Sequence, residues 1–440
     1  MFSISAKGAA SEVRLITLDP GHFHAALVQK EMYPQASALV HVYAPAGSDL
    51  AAHLQRIEAF NTRAKNPTHW QEKVFTGPNF LERMCLEKAG NVVVISGNNL
   101  RKTEYIAKAV AAGLNVLADK PMAITPEGFK RLYQVFQLAE HEHILLYDIM
   151  TERHEITTAL QRELARMPEV FGTFVPGTPE DPGVVMQSVH HYYKPVTGTP
   201  LIRPVWCFDV NQQGEAIPDV GTHLVDLVQW QCFPDQVLDW RKDVQVLSAR
   251  HWPTALTLAQ FKQVTGLEEY PAFLKQEVGP DHRLQIQQNG EVAYTLRGLQ
   301  VKVTALWNYQ APAGGRDTHY AKFRGTRATL VIRQGAEQNY RPTLYLEKAS
   351  GIPTAEFETA VYAAVAKLNL TWPGLAVEPA GTAWEVVVPA KYDVGHEAHF
   401  GQVTEQFLRY LAAGKIPEWE TAGMLAKYYT TTEAHRLAAP

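Results

Sequence analysis

Residues 91–121 read NVVVISGNNLRKTEYIAKAVAAGLNVLADKP. The opening run 91–95 is apolar and β-branched, as in a strand buried on both faces. Residues 101–112 then take a helical rhythm, and Gly113 stands where a left-handed residue ends a helix. Residues 115–118 form a second apolar run, closed by Asp119-Lys120-Pro121. Strand, helix, strand in so short a span is a βαβ unit, whose strands must lie parallel because a helix carries the crossover.

The same alternation continues on both sides. Upstream, residues 13–18 and 38–43 read as strands, and 24–32, 48–60 and 79–89 as helices, with Ser48 placed to cap the second. Downstream, Thr125 caps a helix with Pro126 in its first turn, running to about Glu140, and residues 144–148 form one more strand. The expected first domain, 1–155, is therefore an α/β, Rossmann-like, doubly wound parallel sheet. From Val170 the helical rhythm breaks. Short β-like runs follow at 172–175, 184–189, 285–286, 291–296, 301–308, 329–332 and 343–347, with helical segments near Asp219, at 397–413 and at 422–438. The expected second domain, 156–440, is α+β with a large, mostly antiparallel sheet serving substrate binding and oligomerisation.

Composition narrows the function. Among 440 residues, 41 Lys and Arg face 45 Asp and Glu, a net charge of −4, so no basic face for nucleic acid or a membrane surface is expected. Hydrophobic residues at 46% and charged residues at 20% are ordinary for a globular chain with large cores. No apolar run is long enough to span a membrane, and the first residues lack the apolar core of a leader. Three scattered cysteines, Cys85, Cys207 and Cys232, imply no disulfide framework and fit a reducing, cytoplasmic setting. A wide open sheet needs covering, so a homodimer or homotetramer is expected.

In a doubly wound sheet, ligands bind beyond the carboxyl ends of the strands. The residues to watch are therefore 19–24, 43–45, Ser96 to Asn99, and Asp119, Lys120 and Pro121. The first turn, Asp19-Pro20-Gly21-His22-Phe23-His24, keeps one glycine of the G-x-G-x-x-G dinucleotide fingerprint. Gly21 permits close backbone approach to a pyrophosphate, with the His22 and Phe23 N–H groups beside it. The second strand ends Val42-Tyr43-Ala44, without the acidic residue that usually grips a ribose. Lys120, after a buried strand and before a proline, can aim its ammonium at a ligand oxygen. The segment Asp219-Val220-Gly221-Thr222-His223-Leu224-Val225-Asp226 places Asp219, Thr222, His223 and Asp226 on one polar stripe. Carboxylate and imidazole four residues apart can hold a proton near neutral pH, though a capped helix with a satisfied histidine gives the same pattern. His190, His191 and Trp206 suit a sugar, which has apolar faces and hydroxyl edges. Arg153 and the polar loop 314–319 are further candidates to line the cleft. His396-Glu397-Ala398-His399 is not the H-E-x-x-H zinc pattern, and no metal is expected.

Taken together, these motifs resemble the Gfo/Idh/MocA oxidoreductases. Asp119-Lys120-Pro121 is similar to the family's E-K-P motif, with Asp replacing Glu, and residues 219–226 match its D-x-G-x-H-x-x-D. The opening LDPGHFHAALVQK and the closing GHEAHF and MLAKYYTTTEA resemble one branch, which ends in its own oxidoreductase C-terminal domain. The resemblance implies NAD or NADP as cofactor, with Gly21, His22, Phe23, Ser96, Asn98, Asn99, Asp119, Lys120 and Pro121 around it. It implies Lys120, Asp219 and His223 as catalytic residues, and Arg153, His190, His191, Trp206, Asp219 and His223 around the substrate. The implied reaction moves a hydride between nicotinamide and a secondary alcohol of a sugar, cyclitol or related polyol. Two alternatives stay open: glycoside cleavage by transient oxidation and elimination, and a sugar- or nucleotide-binding protein without catalysis.

Overall fold

The computed structural model describes residues 12–196 and 199–438, so the stretch on which the leader expectation falls lies outside the described residues. Six strands form the first sheet: β1 (Leu15–Leu18), β2 (Leu39–Ala44), β3 (Gln71–Thr76), β4 (Val92–Ile95), β5 (Asn115–Asp119) and β6 (Leu146–Ile149). They pair in parallel in the order β3-β2-β1-β4-β5-β6. The order reverses between β1 and β4, which opens a crevice at their carboxyl ends. β1 and β4 are buried along their whole length, as continuous apolar runs require. Sequence reading misses β3, because QEKVFT carries charge and lies at the sheet edge, where burial imposes no apolar pattern. Thr125 does cap its helix, its hydroxyl accepting from the Gly128 N–H at 3.1 Å. Ser48 does not: the cap position falls on Gly47, with no side-chain bond.

The second sheet has nine strands. In spatial order they are Val244–Leu256, Leu284–Leu296, Leu299–Gln310, Val184–Tyr193, Thr318–Arg324, Ala328–Arg333, Thr343–Lys348, Ala383–Val387 and Ala376–Ala380. Every neighbouring pair is antiparallel except Val184–Tyr193 beside Leu299–Gln310. The expected run at 172–175 is not a strand and contributes one isolated bridge, Phe174 to Gly325. One face of the sheet packs on helices Ile156–Ala165, Thr222–Cys232 and Thr354–Leu368.

The last two helices, His396–Ala413 and Glu418–Ala438, join the two cores: Ala426 and Ala434 of the second belong to the core of the nine-stranded sheet. Phe400, Val403, Phe407, Leu408, Met424 and Tyr428 are buried in the core of the first sheet. Each large apolar side chain so buried contributes about 1.5–3 kcal/mol. The C-terminal helices therefore cross the expected division at 155/156. No described helix is long and apolar enough to cross a membrane.

Candidate active site

The site forms where the carboxyl ends of β1, β4 and β5 meet the segment leading into helix Thr222–Cys232. That segment begins with a wider turn, Ile217–Gly221, which carries Asp219. Lys120 follows directly on β5, and its Nζ donates to Asp219 Oδ1 at 2.6 Å. Burial alone would push the Lys120 pKa down; the Asp219 and Asp119 carboxylates outweigh it, and the pKa is raised. Lys120 is therefore a fixed cation at neutral pH.

His223 sits one turn beyond Asp219. Its Nδ1 is buried with no hydrogen-bond partner among the described residues, while the residue as a whole remains partly open. Burial, then the nearby Lys120 charge, pushes its pKa well below the ordinary histidine value. The imidazole is therefore neutral at pH 7. The other ring nitrogen, Nε2, is not sealed in this way, so it is the atom through which a ligand can reach His223.

The glycine-poor turn is tightly built. A Cβ on Gly97 would stand 2.3 Å from the Asp19 carbonyl oxygen, so the turns after β1 and β4 can touch only with glycine there. A Cβ on Gly21 would stand 3.2 Å from Asp49 Oδ2. Asp49, in the first turn of helix Ser48–Thr62, thus brings a carboxylate beside the first turn. The end of β2 offers no acid, so sequence reading misses it; its signal was an acidic residue opening the next helix. Asp49 there can accept from the ribose hydroxyls of a dinucleotide in this fold.

Two family descriptions match the chain. "Oxidoreductase family, NAD-binding Rossmann fold" covers residues 21–147, and "Putative oxidoreductase C terminal domain" covers 160–439. The chain belongs to the Gfo/Idh/MocA oxidoreductase family. A crystal structure of a "putative oxidoreductase" from Parabacteroides merdae is 56% identical over 98% of both chains, with a TM-score of 0.95. More distant solved structures share the fold. A levoglucosan dehydrogenase in complex with NADH and levoglucosan is 14% identical, with 97% of this chain and 96% of that chain covered and a TM-score of 0.60. A 3-ketoreductase from Actinomadura kijaniata in complex with NADP is 14% identical, with 94% and 95% covered and a TM-score of 0.55. No curated protein matches.

As a family member, the chain takes NAD or NADP as its cofactor class. Several expected site residues are nevertheless committed elsewhere. Asn98 Nδ2 donates to Gln212 Oε1 at 2.7 Å and Asn99 Nδ2 to the Gln213 carbonyl at 2.6 Å, so their amides hold the second half instead of standing free. The Ser96 hydroxyl donates to Asp119 Oδ2 at 2.9 Å. Phe23 packs edge-on against His24, ring centres 4.5 Å apart. Pro121 follows Lys120 through a cis peptide bond. Trp206 reaches across to the first half, its Nε1 donating to Asp49 Oδ2 at 3.3 Å, which places it beside the nucleotide turn.

Arg153 corrects an expectation. Its guanidinium is mostly buried, forked onto Asp226 at 2.6 and 2.7 Å and bonded to Glu420 at 2.8 Å, so each of its three nitrogens is turned to a carboxylate of the protein instead of to the cleft. Asp226, the last residue of the expected polar stripe, is likewise turned inward. His190 and His191 converge on Asp317 at 3.1 and 3.0 Å, beside Lys194. His191 is buried, while His190 keeps about a quarter of its side chain open (26%) and stacks on Trp307. The loop 314–319 thus meets this pair through Asp317. His396, whose expected role was none, lies with its ring centre 5.8 Å from that of His24.

Proposed function

We propose that the chain is an NAD(P)-dependent oxidoreductase acting on the secondary alcohol of a sugar, cyclitol or related polyol. The 2.6 Å pair between Lys120 and Asp219, joining the nucleotide half to the sheet half, carries this reading. When bound, the nicotinamide supplies the hydride acceptor or donor. The protein's own groups handle the rest. Lys120 holds the substrate oxygen and stabilises the negative charge that grows on it as the hydroxyl loses its proton. Asp219 aims the Lys120 ammonium. His223, neutral and open at Nε2, receives the proton during oxidation and returns it during reduction. His190, open on one face beside Trp307, supports recognition of a ring with hydroxyl edges.

Purified protein supplied with NAD+ or NADP+ and a panel of polyols should produce reduced cofactor with at least one of them. His223→Ala should lower kcat by about a hundredfold or more. A full rate in that variant, or no dinucleotide binding by calorimetry, rejects the reading. The outer face of the nine-stranded sheet alternates half-exposed side chains with buried ones, which supports pairing of copies through it as a homodimer or homotetramer. Light scattering showing a monomer at micromolar concentration rejects that part.

A further inference from the structure

The turn after β1 holds more than a degenerate nucleotide loop needs. It carries His22 and His24, and both imidazoles point at the carboxylate of Asp119 from the end of β5. One ring nitrogen of each histidine and one carboxylate oxygen lie within 4.8 Å of one another. We propose that His22, His24 and Asp119 form a two-histidine, one-carboxylate site for a divalent transition metal ion.

Distances support a shared ion. Ligand atoms about 2.1 Å from a metal stand about 3.0 Å apart at right angles and about 3.4 Å apart in a tetrahedron. His24 Nδ1 is 3.0 Å and His22 Nδ1 is 3.7 Å from Asp119 Oδ2. A hydrogen bond accounts for the first contact. It does not account for the second, which is too long; His22 Nδ1 instead accepts a long bond from the His24 N–H at 3.4 Å, which an ion would displace. The carboxylate is also held from outside. The Ser96 hydroxyl donates to Oδ2 at 2.9 Å and the Lys120 N–H to Oδ1 at 3.0 Å, the outer bonds that orient a metal-binding carboxylate.

The surroundings bring charges of both signs to the site. The Lys120 ammonium is already matched by Asp219, while the buried Lys102 ammonium, which donates to Asn99 Oδ1 at 2.6 Å, is a second positive charge that an ion would share the Asp119 carboxylate with. His22 keeps 21% of its side chain open against 9% for His24, so free coordination positions lie on its side. Two imidazoles and a carboxylate suit zinc, iron(II) or cobalt(II) over magnesium or calcium. The proposal goes beyond the dehydrogenase reading, although it draws on His22 and Asp119, which the family resemblance places around the cofactor.

The test reads metal binding, not turnover. Tag-free protein is stripped with chelator and titrated with Co2+ and Zn2+, following cobalt ligand-field absorption and heat. One ion per chain is expected, with a cobalt spectrum of low coordination number. His22→Ala, whose ring is the least buried of the three, should keep its native circular dichroism. Its affinity should fall by at least the 10- to 100-fold, roughly, that even an outer-shell loss costs. Asp119→Asn should fall at least as far. Absence of saturable binding in the wild type, or equal affinity in a folded His22→Ala, overturns the proposal.

Discussion

Asp219 and Asp226 lie two turns apart on one helical segment, and both reach across to the first half of the chain, yet they do opposite things. Asp219 meets Lys120 at the edge of a cleft, beside a histidine whose Nδ1 has no partner. Asp226 is sealed. Arg153 grips both its oxygens, Lys427 adds a third bond at 2.7 Å, and Lys427 in turn reaches Asp148 at 2.7 Å. Glu420 takes the remaining arm of Arg153, and Tyr428 completes Asp148 at 2.6 Å. Each of the three carboxylates in that second cluster touches one or both of its two cations. A saturated buried network holds elements in register; an unsaturated, partly open one leaves capacity for a ligand. On the proposed reading, the same D-x-G-x-H-x-x-D stripe serves chemistry at its start, while its end gives cohesion.

The largest effect should come from breaking the sealed cluster. Asp226→Ala leaves Arg153 and Lys427 buried without their shared anion and should cost about 3–5 kcal/mol in unfolding free energy, read by denaturant titration. A loss below about 1 kcal/mol would erase the distinction drawn above. Lys120→Met should instead lower kcat by about 10²–10³-fold, on the scale of losing one donor to a developing oxyanion. Its circular dichroism should stay native. Equal loss of folding in both variants would mean that the two clusters play one role. The smallest effect is in acid. Burial pushes the Asp226 carboxyl up, but Arg153 and Lys427 more than reverse this and hold it well below the usual carboxylate range. A pKa lowered in the folded state gives stability that is present above the unfolded value, about 4, and is lost as pH falls below it. Between about pH 4 and 2, Asp226→Asn should therefore show a shallower fall of Tm than the wild type.

The first sheet was legible because parallel strands covered on both faces must be continuous apolar runs, and VVVI at Val92–Ile95 can be little else. The second was half legible. Leu299–Gln310 alternates cleanly, but Val244–Leu256 contains Pro253 and shifts register between Trp252 and Thr254. A bulge tolerates a proline that a regular ladder would not, so the period-two pattern breaks there and the strand hides. In the site, Lys120 and Asp219 were found through paired motifs, since nothing local in either segment announces the other. Arg153 was misplaced for the same reason. Its partners Asp226 and Glu420 lie far along the chain, and a lone arginine after a strand reads equally well as ligand-facing or inward. Asp49 went unseen because an acidic first turn is also ordinary helix chemistry.

The return of the C-terminal helices onto the first sheet sets a limit on how the protein comes off the ribosome. The nucleotide half is encoded first, yet Phe400, Phe407, Met424 and Tyr428 fill its core. Its apolar surface must wait, partly uncovered, until the last stretch of polypeptide has left the exit tunnel. Early termination of translation would thus strip packing from the half of the molecule farthest away in the message.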